Sequence, residues 1–375
     1  MKKVFVFLII SIILSIPANA SQNIEKEIIG NIQGEISDFE SSLPDYVKDF
    51  LPNEALDNVV IGSTDITQKD FLDYSIDYLL AHIPTILRSF TGLLAILLIV
   101  SVFNTVKEGF SSEGLRQAFS LCATLCISIS VFSSISQIID TCTDYLHILC
   151  GTMNSFAPLM SALYIMTGSI SSAAVSNASM MLFLSIIENF VVYALSPTMK
   201  ICLCFSVVSS ISGTCDLGGI SRLIKNTFTG ACVFLISIFS FVMSFQSVLA
   251  HSADSLSLRT ARFAIGNFIP VVGGFISDSL KTVSASLSFI KNSCGVIAII
   301  VIVILILPVI ISLLLNKLSF NLISGISKAL GIEGEARACD EASTLCSFAL
   351  AIVSLCSVVF IFAITILIKS SVGIS

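Results

Sequence analysis

The chain has 375 residues, of which 55% are hydrophobic and only 12% are charged, and its formal net charge at pH 7 is −6. Soluble domains usually carry about 25% charged residues, so this composition excludes an ordinary soluble enzyme and a disordered chain. It also lacks the basic stripe that neutralises phosphates, which argues against nucleic acid as a partner. Long apolar runs predict instead a protein integral to the lipid bilayer.

The first 20 residues have the pattern of a secretory signal peptide. Lys2 and Lys3 precede an apolar run over 4–16, and Ala18-Asn19-Ala20 has the small-residue pattern of a cleavage site. At about 1.5 Å per residue this run is short for a hydrocarbon layer of about 30 Å. We predict a signal peptide over 1–20, with an uncleaved anchor as the alternative. Either one places the following segment outside the cytoplasm.

Residues 21–85 form an acidic region with a net charge of −10. Apolar residues such as Ile32, Ile36 and Phe39 recur at helical spacing, and Pro44 and Pro52 interrupt the pattern. The spacing predicts an extracytoplasmic region of short amphipathic helices. Such helices suit either a solvated cap on the membrane body or a docking surface for a partner.

Residues 86–375 are predicted to form a polytopic transmembrane domain. Because backbone in hydrocarbon must be hydrogen-bonded internally, the fold class is all-α, with about six to eight transmembrane helices. The predicted spans are 87–106, 118–139, 146–167, 173–195, 228–250, 294–315 and 345–368, with shorter segments at 201–211 and 263–276.

Two pairs of similar motifs predict an internal duplication of residues 140–250 in residues 252–368. Phe156-Ala157-Pro158 matches Phe268-Ile269-Pro270, and Gly219-Ile220-Ser221-Arg222 is similar to Gly325-Ile326-Ser327-Lys328. Paired segments broken by proline or glycine are typical of transporters, where they face a central cavity. Chance similarity between serine- and isoleucine-rich segments is the alternative.

Glu188 is a candidate site residue because it lies within a predicted span. A carboxylate at that depth costs roughly 3 kcal/mol to insert, so it normally faces water or a partner. It suits a pore lining or a proton relay. Equally, it suits a hydrogen bond that holds two helices together.

A second candidate site is a polar stretch in an otherwise apolar setting. Its proline and glycines favour a kinked or re-entrant element, flanked by charge. The alternative is an interfacial loop whose arginines reach the lipid headgroups. The candidate residues of this stretch are Arg259, Arg262, Pro270, Gly273, Gly274 and Asp278.

Signatures of enzymes and cofactor sites are missing from the sequence. It contains no His-Glu-x-x-His and no glycine-rich phosphate loop. Most of the 12 cysteines lie in apolar runs, where a thiol behaves as a small hydrophobic group. The sequence therefore predicts a protein that is not an enzyme and needs neither a metal nor a cofactor.

The stretch around Pro270 resembles a known family signature. Arg259-Thr260-Ala261-Arg262-Phe263 is followed by Phe268-Ile269-Pro270-Val271-Val272-Gly273-Gly274 and by Ser277-Asp278-Ser279. This succession resembles the signature of the stage III sporulation protein AE family. The order of signal peptide, acidic ectodomain and multi-span body is similar as well, so the resemblance covers almost the whole chain.

The resemblance implies a function in endospore-forming bacteria. Members sit in the mother-cell membrane around the forespore, as components of a channel or export apparatus needed for late forespore development. The implied partners are the other stage III A membrane proteins, a separate ATPase subunit, a forespore-side channel protein and the lipid bilayer. The alternatives from the residues alone are a stand-alone secondary transporter of a small solute and a membrane scaffold without a transport path.

Overall fold

The computed structural model of the chain describes residues 34–50, 68–107, 112–167, 169–212, 218–268 and 273–369, and its regular structure there is helical. Two short helices, α1 (34–41) and α2 (Asp45–Phe50), come first. The long helices are α3 (Gln68–Lys107), α4 (Glu113–Met166), α5 (Ile170–Ile186), α6 (Tyr193–Ser212), α7 (Gly218–Phe268), α8 (Gly273–Ala329) and α9 (Glu333–Lys369). A π-helical segment, Ile187–Val192, joins α5 to α6 without a break.

Five helical stretches in the described part of the chain are long and apolar enough to cross a bilayer. They are Glu113–Met166, Ile170–Ser209, Gly218–Ser257, Ser288–Ala329 and Glu333–Ile368. A shorter apolar helical stretch, Phe90–Phe103, lies within α3. The prediction of an all-α membrane protein is therefore confirmed.

Several predicted spans merge in the structure, which is why its described part contains five long apolar stretches although the sequence predicted six to eight spans. Residues 118–139 and 146–167 both belong to the continuous 54-residue α4, which contains Pro158. Residues 173–195 and 201–211 both belong to the run from α5 to α6, which contains Pro197. A proline removes only one backbone hydrogen bond, and packing against neighbouring helices lets a long helix tolerate that loss.

The run from α5 to α6 packs antiparallel to α7. The rings of Phe183 and Phe239 stack with centroids 3.9 Å apart, and those of Phe190 and Phe228 stack at 5.9 Å. The contacts therefore pair increasing residue numbers on one helix with decreasing residue numbers on the other, as expected for antiparallel helices. The two helices form a long hairpin.

The helices α8 and α9 form a second hairpin, and α4 runs parallel to α9. Gly331, with φ at 71°, makes the tight turn between α8 and α9. Thr124 near the start of α4 donates to Glu335 at 3.1 Å, and Tyr145 lies 2.5 Å from Ser357 further along both helices. These contacts show which helix termini lie together at each end of the bundle. We name the two ends the Lys225 end and the Lys291 end, after a buried lysine at each.

Basic residues are divided unequally between the two ends. Within residues 89–375, the helix directions place eight at the Lys225 end, namely Lys107, Arg116, Lys200, Arg222, Lys225, Lys317, Lys328 and Arg337. Five lie towards the Lys291 end, namely Arg259, Arg262, Lys281, Lys291 and Lys369. The short helix α1 also packs beyond the middle of the bundle on that side, because Phe39 contacts Phe156 with ring centroids 5.6 Å apart.

Gly295 lets α8 and α9 approach closely near the Lys291 end. A Cβ atom at this position would overlap Cγ1 of Ile368 and lie 2.6 Å from its Cδ1. We expect Gly295→Leu to lower the free energy of unfolding by about 1 to 3 kcal/mol through overpacking. Thermal unfolding in detergent measures this. Gly325→Leu is the matched control, because nothing lies within 4 Å of a Cβ there; equal losses in both variants would contradict the prediction.

Candidate functional site

A polar stripe runs along α4 on a surface that no other described element covers. All eight exposed residues of α4 between positions 133 and 154 are polar or glycine. The exposed residues on either side of them, such as Phe132 and Ile165, are apolar. We call this stripe the acidic face; it consists of Ser133, Gln137, Asp140, Thr141, Asp144, His147, Gly151 and Asn154.

The acidic face lies at the depth of the most apolar parts of the bundle. Tyr145, next to Asp144, is 2.5 Å from Ser357, which is near the middle of the apolar part of α9. One turn further along α9, Phe360 contacts Phe183, with ring centroids 5.1 Å apart. A carboxylate at the centre of a membrane helix costs roughly 3 kcal/mol to insert. Contact of this face with lipid chains is therefore unfavourable.

Glu188 lies beside the acidic face on the neighbouring helix. The ring of His147 meets that of Tyr193 edge-on, with centroids 5.9 Å apart. Glu188 is half-buried and close enough to Cys150 to interact with it electrostatically. Three carboxylates, those of Asp140, Asp144 and Glu188, therefore lie on adjoining surfaces of α4 and the π-helical segment.

The π-helical segment determines how Glu188 is presented. The N–H of Tyr193 donates to the carbonyl of Glu188, five residues earlier, so this turn holds one residue more than an α-helical turn. Pro197 follows, and its ring crowds the carbonyl four residues before it, which favours a wider winding. Isolated π-helical turns occur often at functional sites.

The structure separates the residues predicted from the sequence into two places. Glu188 lies at mid-depth, whereas Arg259 is exposed near the end of α7, about 45 Å further along that helix from Phe228 at about 1.5 Å per residue. Arg262 also lies on α7, Gly273 and Gly274 begin α8, and Asp278 lies in its second turn. Pro270 and the side chains of Arg262 and Asp278 lie outside the described part of the chain.

Asp140, Asp144 and His147 were not predicted from the sequence as functional residues. The two aspartates fall in the connection between the predicted spans 118–139 and 146–167, and His147 falls at the start of the second span. The signal was nevertheless present, because the polar residues from Ser133 to Asn154 recur at alternating spacings of three and four. Such a spacing predicts one face of a continuous helix.

A buried carboxylate caps α5 at the Lys291 end. Asp254 on α7 is 3% exposed and accepts the backbone N–H groups of Ser171 at 2.9 Å and Ser172 at 2.8 Å. These N–H groups belong to the first turn of α5, which has no partners for them within the helix. Asp254 therefore fixes the turn between α4 and α5 to α7.

Lys291 and Tyr164 pack together at the same end. Lys291 is 1% exposed, and its Nζ lies 4.4 Å from the centroid of the Tyr164 ring. The Tyr164 hydroxyl donates to the carbonyl of Leu367 near the end of α9. The three helices α4, α8 and α9 are joined here by one cation–π contact and one hydrogen bond.

Ion pairs join the helices at the Lys225 end. Lys225 on α7 lies 3.3 Å from Glu341 on α9, and its side chain is only 7% exposed. Lys328 lies 2.6 Å from Asp340 across the α8–α9 turn, where both side chains are more exposed. The first pair holds the two hairpins together, the second joins the two helices of one hairpin, and neither has an evident chemical role.

Metal-binding groups are not brought together in the part of the chain that the structure describes. No group of three or more His, Cys, Asp and Glu side chains there is arranged to hold a metal ion. The described cysteines are free thiols, and among them Cys122, Cys126 and Cys204 are exposed.

The match to known proteins covers most of the chain. Residues 51–371 match the family model for stage III sporulation protein AE. The chain belongs to this family. It is 21% identical over 353 residues to stage III sporulation protein AE of Bacillus subtilis (strain 168). The aligned region covers 93% of this chain and 86% of that protein. No solved structure is similar to the chain. The family resemblance found in the sequence is confirmed, and membership implies a role in stage III sporulation.

Proposed function

We propose that this chain is a membrane subunit of the stage III A sporulation complex and that it forms or supports a channel or export apparatus between mother cell and forespore. Family membership supports the sporulation role. The acidic face supports the channel role, because polar groups at mid-depth in a bilayer normally face water or another protein. This face is the observation on which the proposal rests.

The proposed orientation places the Lys225 end in the cytoplasm of the mother cell. Lysine and arginine are enriched in cytoplasmic loops, and within residues 89–375 eight basic residues lie at that end against five at the other. Residues 21–85 are then extracytoplasmic, after a signal peptide over 1–20. The packing of α1 beside Phe156 agrees with this orientation.

The proposed transmembrane domain, 86–375, has six crossings. Five are the long apolar stretches, and the sixth is α3, which contains the shorter apolar stretch Phe90–Phe103. The duplication of 140–250 in 252–368 and the roles of Arg259, Arg262, Pro270, Gly273, Gly274 and Asp278 stay predictions.

The proposed partners are the other stage III A membrane proteins, a separate ATPase subunit and a forespore-side channel protein. The family is one of sporulation membrane proteins and is not a known enzyme family. The sequence holds no nucleotide-binding loop, so the energy for transport would come from the separate subunit.

A deletion of the gene tests this function. We expect normal growth, a block after engulfment, a shrunken forespore and a silent late forespore-specific reporter, all restored by the wild-type gene. A tagged wild-type chain isolated from sporulating cells should bring down the other stage III A membrane proteins. Normal spores would contradict the sporulation role. Recovery of the chain alone, with solute uptake in liposomes, would favour a stand-alone transporter instead.

A further inference from the structure

The run from α5 to α6 turns one line of buried side chains towards the rest of the bundle. We call this line the inward stripe; it consists of Met180, Leu184, Ile187, Val192, Leu195, Met199 and Cys202. Successive members are separated by 4, 3, 5, 3, 4 and 3 residues. A helix that buries one side alternates separations of three and four. The one separation of five, from Ile187 to Val192, coincides with the π-helical segment. That segment therefore holds one residue more than the inward stripe requires.

Contacts with α7 give the same surplus. Phe239 and Ser221 on α7 are 18 residues apart, which is five complete turns of an α-helix. Their partners Phe183 and Cys202 are 19 residues apart, and an unbroken α-helix would point them about 100° away from each other. Both nevertheless reach α7, because the Phe183 ring stacks on that of Phe239 and the Cys202 Sγ lies 3.7 Å from the Ser221 carbonyl oxygen. The π-helical segment takes up the additional residue.

Pro197 alone does not explain the π-helical segment. Pro158 in α4 and Pro308 in α8 also lie inside long helices, and both helices keep α-helical winding around the proline. A proline therefore does not force a wider turn in this protein. A surplus residue does, because a helix that is packed on both sides of it can accommodate it only in a π-helical turn.

The surplus residue adds a polar group to the outer side of the helix. Four residues lie between the two ends of the π-helical segment, where an α-helical turn of the inward stripe would hold three. Phe190 stacks on Phe228 of α7, and Val191 is buried. The other two residues are polar: Glu188 is half-buried and Asn189 is exposed.

The two polar residues differ in what they contact. The Asn189 side-chain amide donates to the carbonyl of Ser185 in its own helix at 2.8 Å. Glu188 lies close to Cys150 on α4, beside the acidic face, and forms no ion pair or hydrogen bond with any residue that the structure describes. A polar residue that joins two membrane helices does so by hydrogen bonding across them. Glu188 therefore does not act as such a joint within the described part of the chain.

We propose that the π-helical segment is a one-residue insertion that serves the acidic face and not the fold, and that Glu188 is the residue through which it acts. Without the insertion, α5 and α6 continue as one α-helix whose inward stripe has separations of three and four throughout. With it, the acidic face gains a third carboxylate while Phe190 and Val191 keep their contacts. The role of Glu188 rests on the proposed function; the dispensability of the insertion for the fold does not.

Single-residue deletions test whether the fold needs the insertion. Deleting Glu188 or deleting Asn189 restores a separation of four between Ile187 and Val192. Either deletion should leave the unfolding temperature in detergent within about 3 °C of the wild-type value. Deleting both residues is the matched control: it rotates α6 by about 100° relative to α5 and should lower the unfolding temperature by at least about 10 °C or prevent folding. If a single deletion is as damaging as the double deletion, the insertion serves the fold and the proposal is overturned.

Complementation of a strain that lacks the gene tests the role of Glu188. The two single deletions have the same helix but differ in the carboxylate. Deletion of Glu188 should leave the late forespore reporter silent, whereas deletion of Asn189 should restore it, at equal amounts of protein in the membrane. Activity with both deletions, or with neither, overturns the assignment to Glu188. Normal spores in the strain without the gene would instead contradict the proposed function, and the result on unfolding would still stand.

Discussion

Replacing Lys225 with methionine is expected to lower the free energy of unfolding by about 3 to 5 kcal/mol, the usual cost of breaking a buried ion pair from one side. The Lys225 side chain is 7% exposed and lies 3.3 Å from Glu341, which is 27% exposed. Without the ammonium group, the Glu341 carboxylate is left partly buried with no described partner. Thermal unfolding of the purified protein in detergent measures the loss.

Two further variants distinguish the effect of breaking the buried ion pair from a general effect of substitutions at the Lys225 end. Lys328→Met breaks an exposed pair with Asp340 and should cost at most about 1 kcal/mol. Replacing Lys225 and Glu341 together by methionine should cost less than Lys225→Met alone, because no unpaired charge remains. If Lys225→Met were as mild as Lys328→Met, the pair would not hold the hairpins together.

Asp254→Ala is expected to destabilise the protein by about 2 to 4 kcal/mol, because it removes two charge-assisted hydrogen bonds and leaves two buried N–H groups unpaired. The affected groups are those of Ser171 and Ser172 at the start of α5. Asp254→Asn keeps one carbonyl oxygen as an acceptor and should lose less. The carboxylate also interacts favourably with the helix N-terminus, and the amide loses that contribution.

Hydrogen exchange locates the effect of Asp254→Ala. Exchange should accelerate first in the opening turn of α5 and in the turn that precedes it. Asp144→Ala, which removes an exposed carboxylate with no described partner, should leave the exchange pattern in detergent unchanged. A uniform acceleration over all helices would contradict a local capping role for Asp254.

The sequence was sufficient for the class of fold and for the location of most apolar helices along the chain. An apolar run as long as the one around Ile304 can cross a bilayer stably only as a helix, because its backbone groups must be hydrogen-bonded within the chain. The helix boundaries were harder to predict, because Asp140, Asp144 and Pro197 resemble residues of connections between spans in the sequence. In the structure all three lie inside helices, and at Pro197 packing against neighbours outweighs one lost hydrogen bond.

The candidate site depended on contacts that a sequence does not contain. The 3.1 Å bond from Thr124 to Glu335 fixes the alignment of α4 against α9, and the two residues are 211 positions apart. Without that alignment, Asp140 and Asp144 look like residues of a connecting loop. Glu188 was identified because it interrupts an apolar run by itself, a signal that needs no knowledge of neighbours.

The central claim is that the acidic face contacts water or protein during sporulation, and complementation tests it most directly. A strain that lacks the gene receives a variant with Asp140→Asn, Asp144→Asn and Glu188→Gln. We expect this variant to accumulate in the membrane, because neutral amides are less costly at that depth than carboxylates. A matched control carries the conservative changes Phe234→Leu, Phe241→Leu and Phe245→Leu at exposed apolar positions of α7.

With immunoblots that show equal amounts of both proteins, the control should restore the late forespore reporter and the neutral variant should not. Wild-type sporulation with the neutral variant would contradict the claim, because the three carboxylates would then have no role in the function of the protein.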